Sequence, residues 1–369
     1  MTVHEPPLRR SIEVEYWVCD TEGRLVEPGE LAEMEGAERE FVKPLVEIKT
    51  TPCETSAELR EELLERIRAV AKQAENVDKR LVPLATPLNT SVTVEQLESD
   101  RTQIQQEILG SDFQYVRHCA GTHIHFEQQP GCTREQFNTL VALDPALALV
   151  NSAQHFRGHG LAAGARSQLY RRLAYREFDR QGRLWPYLDR LDAWDERIEA
   201  CYEAFFERAL EAGVDPIQFE TAFDPESAVW TPVQLRDTFG TVEWRSPDTA
   251  LPSDILRLAD TMAEIVEQVR TAEVQIAGET GGVGTDEIVL PEFRAIREYV
   301  DEAVESGLAS PVVRAYLNRM GFDVAAYEPI CREFDIGHHL SEQEARERRL
   351  EHAAALHEDV SRTPSLEAD

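Results

Sequence analysis

Apolar and polar positions alternate along four short runs of this chain. In SIEVEYWV (11–18), Ile12, Val14 and Tyr16 fall on one side of an extended strand, and Glu13, Glu15 and Trp17 on the other. PLVEIKTTP (44–52) sets Val46 and Ile48 against Glu47 and Lys49. GTHIHFE (121–127) sets Ile124 and Phe126 against His123, His125 and Glu127. GTVEWRSPD (240–248) sets Val242 and Trp244 against Glu243 and Arg245. A period of two predicts strands over 11–18, 41–50, 121–127 and 240–246, with a further β-like run at 81–86.

Elsewhere the period becomes that of a helix. Over 57–78, Leu59, Leu63, Ile67, Val70 and Ala71 share one face, and Thr55 or Ser56 can cap the start. Similar patterning predicts helices over 133–153, 186–212, 253–278, 288–307, 311–320 and 341–358. The glycine run GETGGVGTDE (278–287) reads as a loop, and the residues from about 360 as a polar, frayed end. Strands interleaved with long helices, without a regular βαβ alternation or an internal repeat, predict an α+β fold.

One strand with a polar face is ordinary solvated surface. Four strands whose polar faces carry Glu, His, Lys and Arg are harder to explain that way, because solvent faces favour Thr, Ser, Lys and Gln. A sheet packed on helices by its apolar side would gather the other faces into one pocket. Carboxylates and imidazoles crowded there cannot all stay charged without cations. Carboxylate-rich sites with one or two His suit Mg2+ or Mn2+, and Mg2+ usually works on substrate phosphates. Arg245 and Lys49 would then grip phosphate or carboxylate oxygens. The pattern reads as a Mg–nucleotide site built for phosphoryl transfer by positioning and charge neutralisation. Neither a G-x-x-x-x-G-K-[ST] loop nor a G-x-S-x-G elbow occurs.

Composition narrows the partners. The 369 residues include 69 acidic against 38 basic, a formal net charge of −31, and the only lysines are Lys43, Lys49, Lys72 and Lys79. Such a surface repels nucleic acid and anionic membrane and suits a salt-rich cytoplasm, as in a halophile. No run reaches the roughly 20 apolar residues of a membrane span, and MTVHEPPLRR lacks the apolar core of a signal peptide, so the chain reads as cytoplasmic. Cys19, Cys53, Cys119, Cys132, Cys201 and Cys331 form no C-x-x-C pair and read as reduced structural thiols. HCAGTHIH matches no standard zinc spacing, and His338 and His339 read as an exposed loop pair.

These motifs resemble the glutamate–cysteine ligase family, in the carboxylate–amine ligase branch of the glutamine synthetase-like superfamily. SIEVEYWVCD is similar to its first, paired-Glu strand, LVEIKTTP to its second metal-binding strand, GTHIHFE to its Gly-x-His strand and TVEWRSPD to its Glu-x-Arg-x-x-Asp strand. ARSQLYRRLAYREF (165–178) resembles the segment that helps bind nucleotide or substrate. Ser11 departs from the family's usual Gly, and its blocks for glutamate recognition are not identifiable.

The resemblance implies a curved, mainly antiparallel sheet forming a funnel, with helices on its outer face. It implies one catalytic domain over 1–369, its core motifs within about 10–275 and a helical part over about 280–360. Glu13, Glu15, Glu47, His123 and Glu243 map onto metal ligands, and Glu243 and Arg245 onto the catalytic strand. Arg245 maps onto a phosphate or transition-state clamp, and Arg166 and Lys49 onto ATP or substrate contacts. ATP with Mg2+ or Mn2+ would phosphorylate a carboxylate, typically that of glutamate, for an amine, typically cysteine's, to displace. The partners implied are amino acids and ATP, with a homo-oligomer possible. Two other readings stand beside this one: a metal-dependent hydrolase using the H-x-H pair, and a non-catalytic nucleotide or metabolite binder.

Overall fold

The computed structural model describes residues 7–90 and 94–362. The first six residues and the end beyond Arg362 lie outside it, so most of the tail expected to fray is not described.

The alternating runs become the centre of one antiparallel sheet. Its strands are β1 (Arg10–Asp20), β2 (Ala37–Arg39), β3 (Leu45–Lys49), β4 (Lys79–Val82) and β5 (Thr122–Glu127). After a two-residue pair, β6 (His155–Phe156) and β7 (His159–Gly160), come β8 (Val233–Arg236) and β9 (Thr241–Trp244). The order is β2-β3-β1-β5-β9-β8, with β4 also on β1. The ends β2 and β8 do not pair, so among the described residues the sheet is open rather than a closed barrel.

Alternation decides what each face does. Ile12, Val14, Tyr16, Val46, Ile48, Ile124, Phe126, Val242 and Trp244 are all buried in one cluster. The helix Ser56–Asn76 lays Leu59, Leu63, Ile67 and Val70 into that cluster, joined by the helices Thr133–Leu143 and Pro252–Gln268. Thr55 caps the first of these, its side chain accepting from Glu58 N while Glu58 reaches back. Trp17 belongs to the other face, where a second cluster with Val82, Leu84 and Leu340 covers it.

Several boundaries move from their expected places for local reasons. The helix from Thr133 ends at Leu143 and gives way to a 3-10 stretch, Asp144–Leu149, as Pro145 removes a backbone donor. The helix from Pro252 stops at Gln268, and the one expected from 288 starts only at Phe293. Between them lie β10 (Glu273–Ile276), β11 (Gly282–Val283) and β12 (Glu287–Leu290), a small sheet rich in Val and Ile. The glycine run turns between β10 and β12, with Gly278 and Gly281 both at φ 63°. The run expected over 186–212 is helical only over Asp192–Glu211. The helix Asp100–Leu109 and the strands β2 and β8 had no expectation attached to them.

Behind β9 a buried charge network ties sheet to helices. The Asp144 carboxylate accepts from Arg171 Nη1 at 2.7 Å, Arg171 Nη2 at 3.2 Å and Trp244 Nε1 at 3.0 Å, and also from the Ser246 hydroxyl. Both charged side chains are almost fully buried. Removing one partner of such a pair leaves an uncompensated charge, which costs about 3–5 kcal/mol. Asp144→Ala is therefore expected to lower unfolding stability by about that amount, measured as a fall in the urea midpoint. An unchanged midpoint would contradict this account of the network.

Candidate functional site

Register brings the charged residues together. Glu13 stands between Lys49 on β3 and His123 on β5, and Glu15 stands opposite Glu47. His125 pairs with Glu243, which pairs in turn with Gln234 on β8. Glu38 on β2 faces Glu47. The five carboxylate and imidazole positions expected as metal ligands thus lie on one side of neighbouring strands. Neighbouring strands are about 4.8 Å apart, so side chains this long can meet.

They do meet. His123 Nδ1 is 3.5 Å from Glu13 and 3.4 Å from Glu243, while His125 Nε2 is 3.7 Å from each of the same two carboxylates. Ligand atoms of Glu13, Glu47 and His123 lie within 4.8 Å of one another, as do those of Glu13, His125 and Glu243 and those of Glu15, Glu40 and Glu47. Buried His125 Nε2 has no hydrogen-bond partner and points between two carboxylates. Hard carboxylate oxygens with at most one imidazole per group suit a divalent cation such as Mg2+ or Mn2+.

The electrostatics express the same demand. Burial pushes the Glu47 carboxyl well above its usual range, and Glu40 and Glu13 push it further. Burial and then Glu15 raise Glu40 to about 8. Glu13 and Glu243 go the other way. Burial opposes their ionisation, yet His123 and His125 hold Glu13 far below its ordinary value. Arg245, then His125, His123 and Arg236, bring Glu243 down to about 2. Two arginines and two imidazoles outweigh burial at Glu243, whereas at Glu47 the single ammonium of Lys49 does not outweigh burial and the neighbouring carboxylates.

Lys49 reaches the face but does not line the cleft described next. Its Nζ lies 2.7 Å from Glu38, 2.8 Å from Glu47 and 3.6 Å from Glu13, so it offsets carboxylate charge. Arg245 and Arg166 occupy a different place. They line a cleft of about 320 Å³ beside the acidic face, together with Arg101, Arg236, Tyr170 and Trp230. Arg245 Nη1 donates to Glu243 at 2.7 Å and Arg236 Nη1 to the same carboxylate at 3.2 Å. Glu243 is thus the hinge between the candidate metal groups and the arginines. Tyr170 stacks on Trp230 with ring centres 4.4 Å apart, giving the cleft an aromatic wall.

Arg166 is placed with little freedom. Its Nη1 donates to the carbonyls of Arg245 and Ser246, each at 3.2 Å, and its guanidinium lies over the Tyr170 ring. Gly121 is what lets it approach, since a Cβ there would overlap the guanidinium. The segment 165–178 that carries it is helical over Ala165–Gln168 and then π-helical over Leu169–Ala174. Asp248 accepts from Ser152 N at 3.0 Å, and burial raises its carboxyl to about 7.

Sequence reasoning did not assign Arg101, Arg236, Glu38, Glu40 or Tyr170, and left His125 without a role. Arg236 carried a legible signal, because VQLR (233–236) alternates like its neighbours and precedes the turn into β9. Glu40 carried none, since it follows β2 in an irregular stretch without periodicity.

No family model and no curated protein matches this sequence. Among solved structures, the fold is similar to a bifunctional glutathione synthetase from Pasteurella multocida, at TM-score 0.57 and 14% identity. That overlay covers 95% of this chain and 52% of the other, so this chain spans about half its length. A glutamate–cysteine ligase from Francisella tularensis in complex with AMP aligns at TM-score 0.41 and 12% identity, over 98% of this chain and 96% of that one. A glutamine synthase homolog aligns at TM-score 0.36 and 11% identity, over 98% and 68%. The last two overlays are too loose to bear on the site. The first shows a shared fold.

Two outcomes test the geometry. Gly121→Ala displaces the Arg166 guanidinium from the carbonyls of Arg245 and Ser246, at a cost of about 1–3 kcal/mol. That cost should vanish in an Arg166→Ala background, as read from urea midpoints in a double-mutant cycle. Asp248 has an unfolded value near 3.8 and a folded value raised to about 7. The unfolded chain therefore ionises first, and stability falls as pH rises from about 4 to 7, by a few kcal/mol. Asp248→Asn should flatten that part of the stability–pH curve.

Proposed function

We propose that this protein is an ATP-dependent carboxylate–amine ligase, acting as one catalytic unit, that joins glutamate to cysteine through an acyl phosphate. The supporting observation is Glu243, which touches both the Glu/His groups and the arginines of the adjoining cleft. A likeness in fold to a glutathione synthetase is in keeping with this reading. A ligase of the same class with another acid or amine is the nearest alternative.

The chemistry brings anions together. A carboxylate is a poor electrophile, and its oxygen must attack the terminal phosphorus of ATP, releasing ADP. The amine nitrogen then attacks the acyl carbon, and phosphate leaves as the amide forms. Arg245 and Arg236, held by Glu243, present fixed donors toward the cleft, where negative charge accumulates. Arg166 and Arg101 add to the same field. Tyr170 and Trp230 give a flat apolar wall for a planar group. Glu13, Glu15, Glu47, His123, His125 and Glu243 would hold divalent cations, which offset phosphate charge when bound. Lys49 balances the carboxylates at the β3 edge. The funnel-like curvature and a salt-rich cytoplasm belong to the proposal as well.

Protein incubated with Mg-ATP, glutamate and cysteine in high salt is expected to release ADP and phosphate and to form γ-glutamylcysteine. Glu243→Gln keeps the side-chain shape but removes the charge that holds two arginines. It should lower turnover by more than 100-fold, about 2.7 kcal/mol of transition-state stabilisation, while circular dichroism stays unchanged. ADP release only with a different amine would keep the class and replace the substrate. No turnover over a broad panel of acids and amines would reject the class.

A further inference from the structure

A second cleft, of about 490 Å³, lies on the other side of the segment that carries Arg166. One wall is the stretch from Arg171 to Pro186, and the other is the helix Phe293–Glu305. Arg172 Nη2 spans the walls to Asp301 at 2.8 Å. Arg171 is turned inward onto Asp144, in the network behind β9.

The anomaly is charge. Acidic residues outnumber basic ones by 69 to 38 along the chain, yet Arg180, Arg183 and Arg297 all line this one cleft. Among the described residues, none of the three has an ion pair, whereas most arginines of this acidic chain do. Asp179 and Asp301 also line the cleft, and Asp301 is engaged with Arg172. Unpaired like charges held near one another repel, and a bound anion would offset that cost.

Hydrogen bonds fix the turn that carries Arg180 and Arg183, while Arg297 stands on the facing helix. Gly182 N donates to Trp230 O at 2.8 Å, Trp185 Nε1 to Arg180 O at 3.0 Å and Thr231 Oγ1 to Arg183 O at 3.2 Å. Buried Trp185 and half-buried Phe293 give the cleft an apolar floor. Arginine forks match the oxygens of phosphate or carboxylate groups, and three unpaired guanidiniums in one cleft match a multivalent anion better than a monoanion.

We propose that the cleft between Arg171–Pro186 and the helix Phe293–Glu305 binds a small multivalent anion bearing phosphate or carboxylate groups, through Arg180, Arg183 and Arg297. This site is separate from the Glu243 cleft and stands whether or not the ligase reading holds. Its wall runs directly from the π-helical turn beside Arg166, and Trp230 holds its loop while lining the other cleft.

The test is calorimetric titration of the full chain with pyrophosphate, and separately with citrate, in EDTA at low ionic strength. Both probes are used because phosphate and carboxylate sources present the same oxygens to arginine. Binding of either, weakened at least tenfold in R180Q/R183Q/R297Q with the thermal midpoint retained, is the expected result. Binding of pyrophosphate alone assigns a phosphate-bearing ligand, and of citrate alone a carboxylate-bearing one. Hydrogen exchange should slow in 169–186 and 293–305 on binding. Equal affinity in the triple variant, no binding of either probe at millimolar concentration, or protection confined to β1 and β9 would each overturn the proposal.

Discussion

Like charges crowded on one sheet face must be balanced, and much of this structure follows from that. Glu13, Glu15, Glu38, Glu47 and Glu243 come from four strands, and within reach are Lys49, two histidines and two arginines. Balance is uneven along the face. Glu243 has two guanidiniums and is ionised, while Glu47 and Glu40 have Lys49 at most and are pushed toward the neutral acid. That gradient runs from an arginine-braced end at β9 to an end at β3 where carboxylates outnumber the one lysine.

The bracing itself depends on what lies behind the sheet. Asp144 holds Arg171, Trp244 and Ser246 from the buried side, which fixes the β9 exit strand on which Arg245 sits. Arg166 reads the same exit strand from the cleft side, donating to the carbonyls of Arg245 and Ser246. Arginine orientation is thereby set from both faces of one short segment, and preorganised donors of this kind cost nothing to arrange during a reaction. Gly121 belongs to the same arrangement, because its missing side chain is the space the Arg166 guanidinium occupies.

Much of the fold and site was legible in sequence because a strand's period is short. Four alternating runs gave both the core residues, such as Val14, Ile48, Phe126 and Trp244, and the charged row opposite them. A capped, strongly periodic helix such as Ser56–Asn76 was legible for the same reason. Pattern alone misread 269–277 and 288–292, on either side of the glycine run, where β-branched residues beside helical stretches look like more helix. It also gave no place to Arg101, Glu40 or Tyr170, which lie outside the alternating strands and join the site from helical or irregular segments.

What the sequence by itself determined is which side chains share a face, since alternation along a strand is a local rule. It determined too that those faces carry more carboxylate than lysine could balance. Only the tertiary structure decided the strand order, and with it the partners: Glu13 between Lys49 and His123, Glu243 between His125 and Arg245. It alone separated Lys49, which joins the carboxylates, from Arg166 and Arg245, which line the cleft. The reason is physical. Register and crossing points are set by how helices cover the apolar face, over sequence separations at which local pattern carries no information.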